Sequence, residues 1–259
     1  MTKLEQYYNK FNEEKRLTRR HGNVEYVTTM AYLHRYLEGM PGAKILDVGA
    51  GTGRYSVALA EEGYDVTAVE LVKYNLGILK AKKSSVKAYQ GNALNLSRFQ
   101  DSSFDMVLLF GPMYHLYNRE DKVRALLEAK RVVRPGGLIF VAYCMNEYCI
   151  ITHGFRDGYI RESISEGKVR EDFSTISSEE DLYDYVRLEE IYALAEEAGL
   201  KRLQIISADG PANYMRQVLN AMDEETYDLF IKYHLVTCER PELLGAAAHT
   251  VDILRREKP

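Results

Sequence analysis

Apolar and polar positions alternate along this chain in blocks of two different periods. Ile45, Leu46 and Val48 form a short apolar run of strand type, and Gly49, Gly51 and Gly53 follow at every second position. Tyr55, Val57, Ala58, Leu59 and Ala60 continue at helical density until Gly63. The same sequence of strand and helix recurs downstream. Strands are predicted at Asp65–Val69, Val86–Tyr89, Phe104–Phe110, Leu138–Tyr143, Lys201–Ser207 and His249–Leu254. Helices are predicted between them, through Leu76, Ile78 and Leu79, through Val123, Ala125, Leu126, Leu127 and Ala129, and through Leu188, Ile191, Leu194 and Ala195. Strands that alternate with helices argue for an α/β fold with a mostly parallel sheet. Upstream, residues from Leu4 to about Met40 read as helical with a break near His21-Gly22, before Gly39, Pro41 and Gly42 punctuate the chain. Arg134-Pro135-Gly136-Gly137 reads as a helix terminator.

Between Cys144 and Tyr185 the core patterning fades, with Gly154, Gly158 and Gly167 among many charges; His153, Arg156, Tyr159 and Tyr183 are weak pocket candidates there, or parts of a solvated loop. From Asp209-Gly210-Pro211 a helical stretch through Val218, Leu219, Leu229, Phe230 and Leu235 precedes the last strand. The expected organisation is one domain over 1–259. It comprises an N-terminal helical segment (1–40), a core (41–145), a lid-like insertion (146–185) and the second half of the sheet (186–259), with a helical insertion at 211–246.

Composition narrows the function class. The 259 residues are 46% hydrophobic, enough for a substantial single core. A formal net charge of −4 supplies no overall basic field for a polyanion. No apolar run approaches the roughly 20 residues of a membrane span, and the polar start lacks the apolar stretch of a signal peptide. The three cysteines make no metal-ligand or disulfide pattern, which fits a reducing cytoplasm. No metal is expected. Twenty tyrosines and no tryptophan suit either a pocket lining or ordinary surface.

The glycine spacing bears on the ligand. A dinucleotide fingerprint is G-x-G-x-x-G, whereas these glycines alternate and Arg54-Tyr55 follow the third. The next strand closes on Glu70, where a carboxylate can accept both hydroxyls of a ribose. Leu46-Asp47-Val48-Gly49-Ala50-Gly51-Thr52-Gly53 with Glu70 resembles the cofactor motif of class I S-adenosylmethionine-dependent methyltransferases, and the helix, R-P-G-G and apolar strand after it match the same core. The resemblance implies a Rossmann-like seven-stranded, mostly parallel sheet with an antiparallel last strand, helices on both faces and a helical lid. It implies S-adenosylmethionine as cofactor and S-adenosylhomocysteine as product. Asp47, Gly49, Ala50, Gly51, Gly53, Glu70, Leu71, Asn92, Ala93 and Phe110 would then face the cofactor. Asn92 stands where the family often has an acid that holds the adenine amino group; its carbonyl can still accept an N–H, or it serves as a turn residue. Tyr8 and Arg16 would reach the cofactor carboxylate if the N-terminal segment folds over it; otherwise they belong to an ordinary amphipathic helix with a solvated arginine run.

The loop Gly111-Pro112-Met113-Tyr114-His115-Leu116-Tyr117 follows the fourth strand, at the edge toward which the transferred methyl should point. It resembles a Gly-Pro-x-Tyr-His-Leu segment of a bacterial methyltransferase subgroup. Gly111 and Met113 depart from the N/D-P-P-Y/F loop of base methylases. His115, with Tyr114 beside it, is the candidate catalytic group because imidazole titrates near neutrality; a satisfied structural histidine is the alternative. The expected partner is a small-molecule acceptor, with no nucleic acid and no membrane, and monomer and homodimer both remain open. Two rivals are a methyltransferase acting on RNA or protein, which needs a basic face from groups such as Lys80, Lys82, Lys83 and Lys87, and a non-catalytic module of the same fold. A nucleotide-dependent oxidoreductase is disfavoured by the glycine spacing.

Overall fold

Successive residues of the central strand face opposite sides, and two separate cores result. Ile45 packs with Tyr55 and Leu59 on one side, while Leu46 and Val48 pack with Leu126, Ala129 and Ile191 on the other. The structure, a computed structural model, describes Tyr7 and residues 19–258. Its seven strands are β1 (Lys44–Val48), β2 (Asp65–Glu70), β3 (Lys87–Gln90), β4 (Phe104–Leu109), β5 (Val133–Cys144), β6 (Lys201–Ser207) and β7 (His249–Arg255). Their order across the sheet is β3-β2-β1-β4-β5-β7-β6. β7 runs antiparallel to both its neighbours and all other pairs are parallel. The ends of β1 to β6 therefore share one edge with the start of β7. Order reverses between β1 and β4, and ligands of open α/β sheets bind outside that edge.

The longer helices are α1 (Arg20–Leu37), α2 (Arg54–Glu61), α3 (Lys73–Ala81), α4 (Arg119–Val132), α5 (Leu188–Glu197) and α6 (Glu224–Thr237). Tyr32, Leu33 and Leu37 of α1 join α2 over one sheet face, and α4 and α5 cover the other. Asn118 caps α4 by accepting from Asp121 N at 2.8 Å, with Glu120 and Asp121 in the first turn and Lys130 and Arg131 in the last. These charges suit the helix dipole at both ends.

Three expectations are adjusted. The break expected near His21-Gly22 falls at Arg19, which is extended: α1 starts at Arg20, and His21 and Gly22 are buried in its first turn, where the His21 ring meets Asn220 Oδ1 at 3.0 Å. The helix does end just ahead of Arg134–Gly137, at Val132, but that stretch is the bulged start of β5 and not a turn. There Gly136 N donates to Arg256 O at 2.7 Å, and a Cβ on Gly137 would lie 2.8 Å from Asp105 O, so the sheet requires glycine at that point. The stretch after β5 is not a plain loop, since Asn146–Cys149, Ile150–Arg156 (a π-helix) and Ile160–Ser165 are helical. The antiparallel last strand, as expected, is present; it is inserted between β5 and β6.

Candidate active site

Beyond the carboxyl edge lies a cavity of about 1370 Å³, lined at one end by the loop after β1. Gly49, Gly51 and Gly53 all have positive φ, at 77°, 56° and 82°. At Gly49 the requirement is steric as well, because a Cβ would approach Pro112 Cδ to 2.6 Å. That contact joins the glycine loop to the loop after β4. Proximity at Gly53 is likewise to protein, since its Cβ would meet Leu79 at 2.2 Å.

Two carboxylates meet at this end. Glu70, at the tip of β2 and 5% exposed, accepts from Gly51 N at 2.8 Å and from Val72 N at 2.7 Å, so it organises the loop itself. Asp47 accepts from Ser56 Oγ at 2.5 Å through Oδ2, while its buried Oδ1 has no hydrogen-bond partner among the described residues. Burial, with the nearby charge of Glu70, pushes the Asp47 carboxyl up to about 7. A buried, partnerless carboxylate oxygen lining the cavity suits a cationic ligand group. The ammonium and the ribose diol of S-adenosylmethionine fit this acidic pair, so the residues present fit the cofactor. Ala50, Leu71, Asn92, Ala93 and Phe110 line the same cavity, and Leu71 is an exposed apolar side chain beside Glu70. Asn92 Oδ1 accepts from Leu94 N at 3.0 Å, so it shapes its own turn and keeps one further lone pair. Asn75 of α3, absent from the sequence reading, is buried against the cavity with its Oδ1 unpartnered among the described residues. Tyr8 and Arg16 lie outside the described residues. Tyr7 meets the Tyr183 ring edge-on at 6.3 Å.

The loop after β4 is stitched to residues 181–184. His115 Nδ1 lies 2.8 Å from Leu182 O; because a carbonyl only accepts, Nδ1 carries the proton and Nε2 the lone pair. Burial lowers the His115 pKa, only partly offset by that carbonyl, so the ring is neutral at physiological pH. Its ring stacks on Tyr183 at 5.5 Å. Tyr114 O accepts from Asp184 N at 2.7 Å, and Tyr117 Oη donates to Asp181 O at the same distance. Lys122 of α4 bridges Asp184 and Glu190 at 2.6 Å each, which anchors the segment. Tyr114 and His115 both line the cavity.

A further group was not visible in the sequence. Glu25 of α1, Asp209 just after β6 and His249 at the start of β7 offer one ligand or proton-transfer atom each, all within 4.8 Å of one another. These residues lie far apart along the chain, and only the insertion of β7 between β5 and β6 brings them together. Glu25 and His249 line the same cavity.

Comparison with known proteins agrees with this geometry. Residues 46–141 match a family described as methyltransferase domain. The demethylmenaquinone methyltransferase of Bacillus cereus is 31% identical over 188 residues, covering 66% of this chain and 75% of the relative. Among solved structures, a SAM-dependent methyltransferase from Methanosarcina mazei superposes with a TM-score of 0.60 at 16% identity, over 88% of this chain and 98% of that one. A possible histamine N-methyltransferase from Thermotoga maritima gives 0.57 at 21% identity, over 98% and 99%. Fold, glycine loop and relatives define a transferase of one-carbon groups that uses S-adenosylmethionine. The chain belongs to the class I S-adenosylmethionine-dependent methyltransferases.

Proposed function

We propose that this enzyme methylates a small-molecule acceptor held between the loop after β4 and the start of β7. The observation that carries this reading is the continuity of one cavity from Asp47 and Glu70 to Tyr114, His115, Tyr148 and His249. Aromatic side chains around a concave cavity suit a compact, partly apolar acceptor better than a polymer. The relative from Bacillus cereus, named for demethylmenaquinone, supports the same acceptor class.

In this reading Glu70 takes the ribose hydroxyls and Asp47 Oδ1 the ammonium, with the glycine turn, Ala50 and Ala93 close to the cofactor and Leu71 and Phe110 as its apolar walls. Asn92 reads the adenine edge through its remaining lone pair. When bound, the cofactor supplies an electrophilic methyl on a sulfonium that departs as a neutral thioether. The protein contributes alignment and exclusion of water, which can lower the barrier by about 7–11 kcal/mol. His115 and Tyr114 shape the place where acceptor and methyl meet. Among the described residues no helix is long and apolar enough to cross a membrane.

The test is transfer of labelled methyl to three acceptor panels: hydroxyaromatics including demethylated naphthoquinols, small amines, and RNA or protein extracts. Label in a small-molecule fraction supports the reading. Label confined to polymer would replace it with the macromolecular alternative.

A further inference from the structure

His249 begins β7 at the carboxyl edge and pairs with Cys144, the last residue of β5. Its Nδ1 is 2.7 Å from Asp209 Oδ2 and 3.5 Å from Glu25 Oε2. Asp209 is completely buried and firmly held. Oδ1 accepts from Ala248 N and His249 N at 3.1 Å each, and Oδ2 also accepts from Asn213 Nδ2 at 2.8 Å. Three N–H donors fix this carboxylate in place, and it orients the imidazole with an N–H at Nδ1. The other ring nitrogen, Nε2, has no hydrogen-bond partner among the described residues. The side chain is 19% exposed, and His249 lines the cavity. Tyr114 packs against the ring at 5.8 Å, which places the imidazole beside the loop where acceptor and methyl are expected to meet.

From this geometry we propose that His249, held as an imidazolium between Asp209 and Glu25, donates its Nε2–H to the oxygen of a hydroxyaromatic acceptor, which is therefore bound as its aryloxide. The inference rests on the small-molecule reading above and names its acceptor class. In the step itself the acceptor O–H bond breaks, the electron pair stays on oxygen and the proton passes to water. Each transfer releases one proton overall, and His249 keeps its own. The aryloxide is the stronger nucleophile, at oxygen or at the adjacent ring carbon.

The charged and titratable groups facing His249 are Glu25 from α1, Asp209 from the β6 turn, Cys144 from β5 and Tyr114 from the loop after β4. Burial alone would weaken the proton affinity of the ring, but the two carboxylates outweigh it and raise the pKa well above the ordinary value. When ring and acceptor share a single proton, that bias puts it on His249. His115 differs in both respects: its surroundings lower its proton affinity, and its Nδ1 faces a backbone carbonyl in place of a carboxylate. Asp209 is a positioning residue in this scheme, whereas His249 touches the acceptor.

The probe is 4-nitrophenol, whose phenolate absorbs visible light that the phenol does not, titrated into protein saturated with S-adenosylhomocysteine. Wild type should lower the apparent pKa of the bound probe by roughly one unit, a tenfold rise in the ionised fraction. His249→Gln should abolish the shift and Asp209→Asn should reduce it. If His249→Gln does not fold, as judged by circular dichroism, Asp209→Asn carries the test. The inference is overturned if the wild-type protein shows no saturable phenolate signal, or if the signal survives His249→Gln and is lost in His115→Gln. It is also overturned if EDTA removes the signal and Zn²⁺ restores it, since Glu25, Asp209 and His249 would then be metal ligands. Calorimetry with S-adenosylhomocysteine on the same samples separates the two levels of failure. Wild type that does not bind it contradicts the methyltransferase site, and wild type that binds it without ionising the probe contradicts this inference alone.

Discussion

Replacing Asp47 by Asn should make the pH dependence of folding shallower, and by a predictable amount. The native carboxyl lies at about 7 against an ordinary 3.8, because the group is buried next to Glu70 with one oxygen unpartnered. Below pH 3.8 both folded and unfolded chains hold the proton, so Asp47 costs nothing there. As pH rises the unfolded chain ionises first, and native stability falls until the folded group also ionises near 7. The difference corresponds to about 4 kcal/mol at 1.36 kcal/mol per unit. Asparagine retains an oxygen for Ser56 Oγ but cannot ionise, and any cost of its amide N–H is independent of pH. Urea unfolding of the ligand-free protein at several pH values measures both slopes. Relative to wild type, Asp47→Asn should gain about 4 kcal/mol between the acid and alkaline ends, while its affinity for S-adenosylhomocysteine falls. Parallel stability profiles would refute the placement of an ionisable, unpartnered Asp47 in the cavity.

Other outcomes follow from the same contacts. Gly49→Ala would force a Cβ against Pro112 at a φ of 77°, and should cost about 1–3 kcal/mol in chemical denaturation while weakening cofactor binding. Lys122→Ala leaves Asp184, only 9% exposed, without its cation and should cost about 3–5 kcal/mol; a Lys122→Met, Asp184→Leu pair should recover much of this. His115→Ala removes the contact to Leu182 O and should speed proteolysis within residues 150–185. Because burial lowers the folded pKa of His115, its contribution to stability is fully present above the ordinary 6.5 and is lost as pH falls below it, although Nδ1–H still faces its carbonyl, so wild-type proteolysis of that segment should also rise in acid.

Much of the fold was legible because β1, β2, β4 and β5 are buried on both faces and read as apolar runs. The cofactor end was legible for a different reason: three alternating glycines and an acid one strand later are local in sequence and tied to backbone geometry. Elements governed by distant partners were not. Arg134–Gly137 has the composition of a turn, but its hydrogen bonds to Arg256 draw it into β5. The continuity of α1 through His21-Gly22 depends on packing near Asn220. Glu25, Asp209 and His249 each look ordinary in their own segments, on a helix, in a turn and at a strand start. Their meeting depends on strand order, which the apolar pattern does not encode. His115 stood out because it sits in a motif, yet its Nδ1 turns to a backbone carbonyl.

The most direct test of the central claim is the thermal unfolding midpoint with and without S-adenosylhomocysteine, with NADH as control, in wild type and in Glu70→Ala. A ligand that binds only the folded chain adds about 2.7 kcal/mol at a hundred times its dissociation constant. A rise with S-adenosylhomocysteine alone, absent in a folded Glu70→Ala protein, is the predicted result. A rise with NADH alone, or one that Glu70→Ala leaves intact, would contradict the account of the glycine loop and its acid.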